Sequence, residues 1–550
     1  MIKRFSHDVA IGVAIVTSGI ELQKAMNKTH SMFPKNWPGR VLIASCLMAL
    51  ILAGTATSAI AEVKFELSRP GHIHPKPFTG RVLVMLGPEN SRSPKSGPDW
   101  FNPQPMFAID VKDWAVDQPI KLADGPNLIS FPAPLSKLKP GKYAAQALMR
   151  VNMTTHRLGN GPGNAFSDVV QLEVAENQDV TVKMAITATQ PEDTFPEHPR
   201  VKLETLESPL LTAFYGRPVQ HRASVVLPEG RNVKIALPSI YIIPGFGGDH
   251  RQGLRMGGRS GGMNFGSDMV RIVLDPDCVT GHHVFADSAT NGPRGKALVE
   301  EFIPYLEKKY NLIAKEGGRF LNGHSSGGWS SLWLQVTYPD TFGGVWSTSP
   351  DPIDFRDFQR IDLYAKGENM FRDRQGVQRP IARRGNQPVV SYETFSKMEE
   401  VMGPGGQLYS FEAVFSPVGA DKEPKQLWDR RTGVIDLKIA ETWKKYDIGL
   451  ILQENWSTLG PKLAGKIHIT MGDMDSFYLE GATRLMGERL KALKSDAVVD
   501  IIPGRDHGSV LDAALGQRID AEIHETLKRN GIPLERVKLD DSSKKKTAEE

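Results

Sequence analysis

Between Glu62 and about Ala188, apolar and polar residues alternate in short runs broken by turn residues. The clearest are residues 81–86 (RVLVML), 169–174 (VVQLEV) and 180–184 (VTVKM). Turn-rich stretches such as SRSPKSGPDWFNPQP and RLGNGPGNAF separate them, and LKPGKYA at 138–144 reads as a turn feeding a strand. A period of two without helical spacing predicts an all-β, sandwich-like accessory domain over 62–190. The Pro-rich, charged segment TATQPEDTFPEHPR then reads as a linker.

From about Val201 the pattern changes. Apolar runs at 224–227, 239–243 and 270–274 read as strands, and residues 296–310 place Leu298, Val299, Phe302, Ile303 and Leu306 on one helical face. A strand starting at Phe320, a helix over 329–337 and strands at 345–347, 466–471 and 498–502 continue the alternation. Strands alternating with helices predict a mostly parallel α/β sheet with helices on both faces, spanning about 200–530. Residues 351–460 break the alternation with many polar, Gly and Pro positions, and read as an insertion over the site. Residues 531–550 end in a charged tail, DDSSKKKTAEE.

The remaining hydrophobic feature is VLIASCLMALILAG after Arg40, followed by small residues ending in Ala59-Ile60-Ala61. A positive flank, a short apolar core and a small-x-small exit predict a signal peptide within residues 1–61, with cleavage before Glu62 and no membrane span afterwards. The protein is therefore expected to be exported, to the periplasm or the exterior. Met32 opens a segment of more usual leader length than Met1 does. Ile43-Ala44-Ser45-Cys46 loosely resembles a lipidation box, but hydrophobicity continues through Leu52 where a lipoprotein turns polar.

Composition narrows the classes. Net charge is +4 in 550 residues, with several cations in the first forty residues and in Lys544-Lys545-Lys546, so a nucleic-acid surface is not expected. Cleavage would leave Cys278 as the one cysteine, which excludes an internal disulfide scaffold. The histidine pairs His72/His74 and His282/His283 lack a carboxylate or cysteine at ligand spacing, so no metal is expected. Oligomeric state is not legible.

Chemistry concentrates in four segments in chain order: Pro244-Gly245-Phe246-Gly247-Gly248, Gly323-His324-Ser325-Ser326-Gly327, Gly472-Asp473-Met474-Asp475 and Arg505-Asp506-His507-Gly508. In G-x-S-x-G the glycines permit a sharp strand-to-helix turn that lifts the serine above the sheet and offers the next amide to an oxyanion. Ser325 is thus the candidate nucleophile, with the Ser326 and Phe246 amides as oxyanion donors. His507, beyond the last strand, is the candidate base. Asp475 is preferred over Asp473 as the acid, because the strand exit, the glycine and two more residues reach the loop crest. His282, His283 and Trp329 are candidate substrate contacts. The order Ser, Asp, His excludes the chymotrypsin and subtilisin arrangements.

These segments carry a family resemblance. "VVLPEGR" leading into "IYIIPGFGGD", "NGPRGKALVEEFIPYLEKKYNL" into "RFLNGHSSGGW", "YPDTFGGVWSTSPDPIDF", and "GDMDSFYL" before "PGRDHG" resemble the esterase D / enterochelin esterase-like branch of the α/β-hydrolases over roughly 205–520. The resemblance implies the α/β-hydrolase fold and cofactor-free hydrolysis of carboxylic esters, or acyl transfer, by Ser325, His507 and Asp475. It implies a small-molecule, carbohydrate or siderophore-type ester as substrate. A catalytically silent glycan- or envelope-binding protein is the contrasting reading, and the complete triad argues against it.

Overall fold

The structure, a computed structural model, describes residues 62–532 except 177 and 258–262. The expected leader and most of the charged tail lie outside these residues. Residues 62–175 and 179–532 fall within one compact unit.

Eight strands form the central sheet: β1 (Val201–Glu207), β2 (Gln220–Val226), β3 (Ser239–Ile243), β4 (Val270–Leu274), β5 (Arg319–His324), β6 (Gly344–Thr348), β7 (Ile467–Gly472) and β8 (Val498–Ile502). Their order is 1-2-4-3-5-6-7-8. β2 runs antiparallel to both β1 and β4, and every other neighbouring pair is parallel. This is the α/β-hydrolase arrangement expected from the sequence. β1, an edge strand with only two of seven residues buried, carried no strand signal of its own.

Alternation along β3 shows how the sheet is covered. Tyr241 and Ile243 pack toward the helical segments of 294–310 and α1 (Ser326–Thr337), sharing a core with Leu298, Phe302, Leu306, Trp329 and Leu332. Ile240 and Ile242 face the other way, into a core with Phe320, Trp346 and the residues Leu515, Ile519, Ile523 and Leu527 of a C-terminal helix (Ala513–Arg529). Successive side chains point to opposite faces, so one apolar strand serves two layers.

Residues 63–189 form nine strands hydrogen-bonded into one continuous sheet. The sheet folds over its own apolar face: Phe65 and Phe107, far apart along the strand order, bring their rings to 6.2 Å. Between β6 and β7 lie a hairpin (Pro380–Arg384 and Gln387–Ser391), α2 (Tyr392–Met402), α3 (Gln407–Phe415), a short helix (Leu437–Trp443) and α4 (Ile448–Leu463), whose C-terminal end precedes β7.

The N-terminal sheet is anchored on that segment. Leu83, Met85, Met106 and Phe131 share a core with Phe395 and Met398 of α2. Arg81 donates to the Glu400 carbonyl at 2.6 Å. Arg150, buried, donates to the carbonyls of Pro404 at 2.5 Å and of Thr155 and Val279 at 3.3 Å. Thr155 and His156 both bind the carboxylate of Asp277, at 2.5 and 2.6 Å. Buried carbonyls without donors are costly, so Arg150→Met is expected to destabilise the protein by about 3 kcal/mol. Urea unfolding checks this; an unchanged midpoint would show that the junction does not depend on the guanidinium.

Candidate functional site

β5 ends at His324, and Ser325 follows with φ 60° and ψ −126°, a conformation a non-glycine residue rarely adopts. Several bonds hold it there. The Ser325 N–H donates to Thr348 O at 3.0 Å, and its carbonyl accepts from Trp329 and Asp351 at 3.0 and 3.2 Å. The glycine two residues on is required by contact rather than by dihedral. A Cβ on Gly327 would lie 1.9 Å from the Ile243 carbonyl oxygen, so α1 starts directly against the exit of β3.

That same exit carries the Gly-rich turn. Gly248 N–H closes on Gly245 O at 2.9 Å, and a Cβ on Gly245 would sit 3.8 Å from Ser325 Oγ, so the turn lies over the serine. Among the described residues, neither the Phe246 nor the Ser326 amide is engaged in the turn and loop hydrogen bonds around them. His282 braces the turn from behind. Its Nδ1 accepts from the Val284 N–H, which fixes the tautomer, and its Nε2–H donates to Pro244 O at 2.9 Å.

The loops after β7 and β8 are laced together. Asp473 accepts from Gly504 N–H at 2.6 Å, and Met474 N–H donates to Arg505 O at 3.0 Å. Asp475, fully buried, places Oδ2 at 2.7 Å from His507 Nδ1 and takes the Phe477 N–H on Oδ1 at 2.8 Å. Of the two candidate acids, Asp475 therefore meets the imidazole and Asp473 shapes the turn. Burial pulls the His507 imidazolium down, but attraction and hydrogen bonding from Asp475, with help from Asp351, leave its pKa raised above 6.5.

Ser325, His507, Gly245 and Phe246 open onto one cavity of about 260 Å³. Four of its other lining residues, Trp100, His324, Asp351 and Gln407, are not among the site candidates the sequence offers. His324 hydrogen-bonds the His507 carbonyl at 2.9 Å, and burial pushes its own pKa down to about 4. Asp351 accepts from Ser326 Oγ at 2.5 Å, and Gln407 Nε2 of α3 reaches both Ser326 Oγ and the Asp351 carboxylate. Burial pushes Asp351 up to about 6. The motif around Ser325 could have pointed to His324, which lies inside it; nothing local marks Trp100 or Gln407.

The three candidate substrate contacts lie elsewhere. His282 supports the turn, and His283 is buried beside a second cavity with Asp275 and Arg294. Trp329 is 1% exposed, stacked at 5.2 Å on Trp333. None lines the cavity at Ser325, because the elbow turns the first residues of α1 into the core while the loop before residue 290 passes behind the turn. Apart from the site, Asp268, Asp520 and His524 gather at the surface, where His524 Nε2 pairs with Asp268 at 2.9 Å. No helix among the described residues is long and apolar enough to cross a membrane.

Residues 279–507 match the family described as "Putative esterase". The matched segment is an esterase-family segment. It contains the elbow, both acidic candidates and His507, and it supports a carboxylic ester hydrolase, in line with the resemblance carried by the motif string. Among solved structures the chain is similar to a ferulic acid esterase, at 14% identity over 59% of this chain and 98% of that one, TM-score 0.37. It is similar to the fluorophosphonate-binding serine hydrolase F of Staphylococcus aureus, at 14% identity over 60% and 98%, TM-score 0.37. An S-formylglutathione hydrolase from Agrobacterium tumefaciens aligns at 13% identity over 61% and 95%, TM-score 0.36. Among curated proteins none matches.

The pKa balance at His507 can be read directly. In a spectrum of histidine-labelled protein, His507 is expected to titrate with a midpoint above 6.5, and Asp475→Asn should move that midpoint down, because burial then acts with less opposition. A midpoint unmoved by the substitution would contradict the Asp475 contribution.

Proposed function

We propose that the chain is an exported serine carboxylic-ester hydrolase working through Ser325, His507 and Asp475. The observation that carries this reading is the Asp475–His507 hydrogen bond on loops that open onto the cavity holding Ser325 in its left-handed turn.

Ser325 Oγ attacks the ester carbonyl while His507 Nε2 takes its proton. Asp475 holds Nδ1–H and stabilises the imidazolium that forms. Charge developing on the carbonyl oxygen is met by the Phe246 and Ser326 amides, the latter backed by the partial positive charge at the start of α1. His507 then protonates the departing alcohol. Water, deprotonated by the same imidazole, resolves the acyl-enzyme and returns Ser325 to its resting state. The depression of His324 toward pKa 4 keeps that ring neutral beside His507, so it does not compete for the proton in the working range. The reading of export rests on the apolar run after Arg40 and the small-residue exit at Ala61.

Purified protein is expected to take a fluorophosphonate label and to turn over p-nitrophenyl acetate. Ser325→Ala should remove the label, and Ser325→Ala and His507→Ala should each lower turnover by roughly 10⁵-fold or more. Labelling that survives Ser325→Ala in a clean preparation would overturn the assignment.

A further inference from the structure

The cavity beside Ser325 has a composition that a plain acyl pocket does not need. Five aromatic side chains line it: Trp100, Phe246, Phe395, Phe411 and Phe477. Trp100, supplied by the N-terminal region, is the hub, with ring centroids 5.3 Å from Phe246, 5.2 Å from Phe395 and 6.5 Å from Phe477. Phe477 in turn stands edge-on to the His507 ring at 4.9 Å. Among the described residues, one carboxylate sits within these walls, Asp351, 6% exposed, and no lysine or arginine shares the lining.

Asp351 has donors for one of its oxygens only. Ser326 Oγ and Gln407 Nε2 both go to Oδ2, and among the described residues no hydrogen bond reaches Oδ1. The other charged or titratable groups that act on it are His507 and Asp475, which already satisfy each other. A buried carboxylate that is paired by no cation carries a standing cost, and a ligand bearing positive charge would remove it. Aromatic faces favour the same charge, because the ring quadrupole is negative above its plane.

We propose that this cavity is a cation-accepting subsite, in which Asp351 and the aromatic walls around Trp100 take an ammonium or quaternary ammonium group of the ester substrate. The proposal rests on the hydrolase reading and adds the substrate class to it. The cavity, at about 260 Å³, is larger than the roughly 150 Å³ that holds a benzene ring, and so has room for a trimethylammonium group with a short linker. Ser325 and the substrate cation then occupy neighbouring parts of one chamber, with the ester carbonyl between them. Carboxylate-bearing substrates are disfavoured by the same field.

The test is a matched pair of probes that share a shape and differ in charge: choline and 3,3-dimethylbutanol. Each is measured as an inhibitor of p-nitrophenyl acetate turnover and, independently of catalysis, by ligand-observed NMR. Both are run at about pH 8, where a carboxyl raised to about 6 is ionised. The wild-type protein is expected to bind choline roughly tenfold more tightly than the neutral probe. Asp351→Asn should erase most of that ratio, and Trp100→Leu should weaken choline more than 3,3-dimethylbutanol. The comparison in the wild type decides even where a variant fails to fold: equal or tighter binding of 3,3-dimethylbutanol overturns the proposal. Absence of any ester turnover would instead remove the hydrolase reading, while the NMR comparison still decides the cation site.

Discussion

At Gly327 the chain meets itself so closely that an added methyl group would lie within 2 Å of the Ile243 carbonyl oxygen. That contact fixes the start of α1 against the end of β3, and the remaining parts of the site take their positions from it. With α1 so placed, the turn from β5 must be sharp, and Ser325 accepts an uncommon backbone conformation. The Gly-rich turn that leaves β3 then has only one place to go, over the serine. The loops after β7 and β8 arrive at the same edge because a parallel sheet brings all its C-terminal ends to one side. The chemistry is a consequence of a packing distance.

The legible parts of the molecule were those whose signals are local. Ser239–Ile243 and Val270–Leu274 are strands with the bounds their apolar runs predict, because a strand buried on both faces leaves a nearly continuous hydrophobic record; Val498–Ile502, half-buried at the sheet edge, kept its signal through four β-branched residues. The elbow and the Asp475–His507 pairing were legible because each depends on a short spacing: glycines at fixed offsets, and an acid three residues past a strand-ending glycine. Edge strand β1 was not, since a strand with mostly exposed residues needs no apolar pattern.

Failures at the site share one cause. Trp100 reaches the cavity from a loop between strands of the N-terminal sheet, Gln407 from the segment between β6 and β7, and Asp351 through hydrogen bonds to a residue of the elbow. Such contacts are made by tertiary approach and leave no spacing to read. His282 and His283 erred in the opposite direction: a histidine pair in a loop looked available, yet burial and two satisfied ring nitrogens make His282 a brace. The N-terminal region, read as an appendage, is hydrogen-bonded through Arg81, Arg150 and Thr155 to the segments that frame the site.

The span of the cavity along the chain has a kinetic meaning. Its walls run from Trp100 to His507, so the chamber closes only after the first sheet, the helices around Phe395 and the last strand have all docked. Contacts of such long sequence separation form late, because loop-closure entropy must be met before they contribute. A partly folded chain therefore owns a serine and a histidine but no chamber around them. Turnover in this protein is accordingly a late and global report of folding.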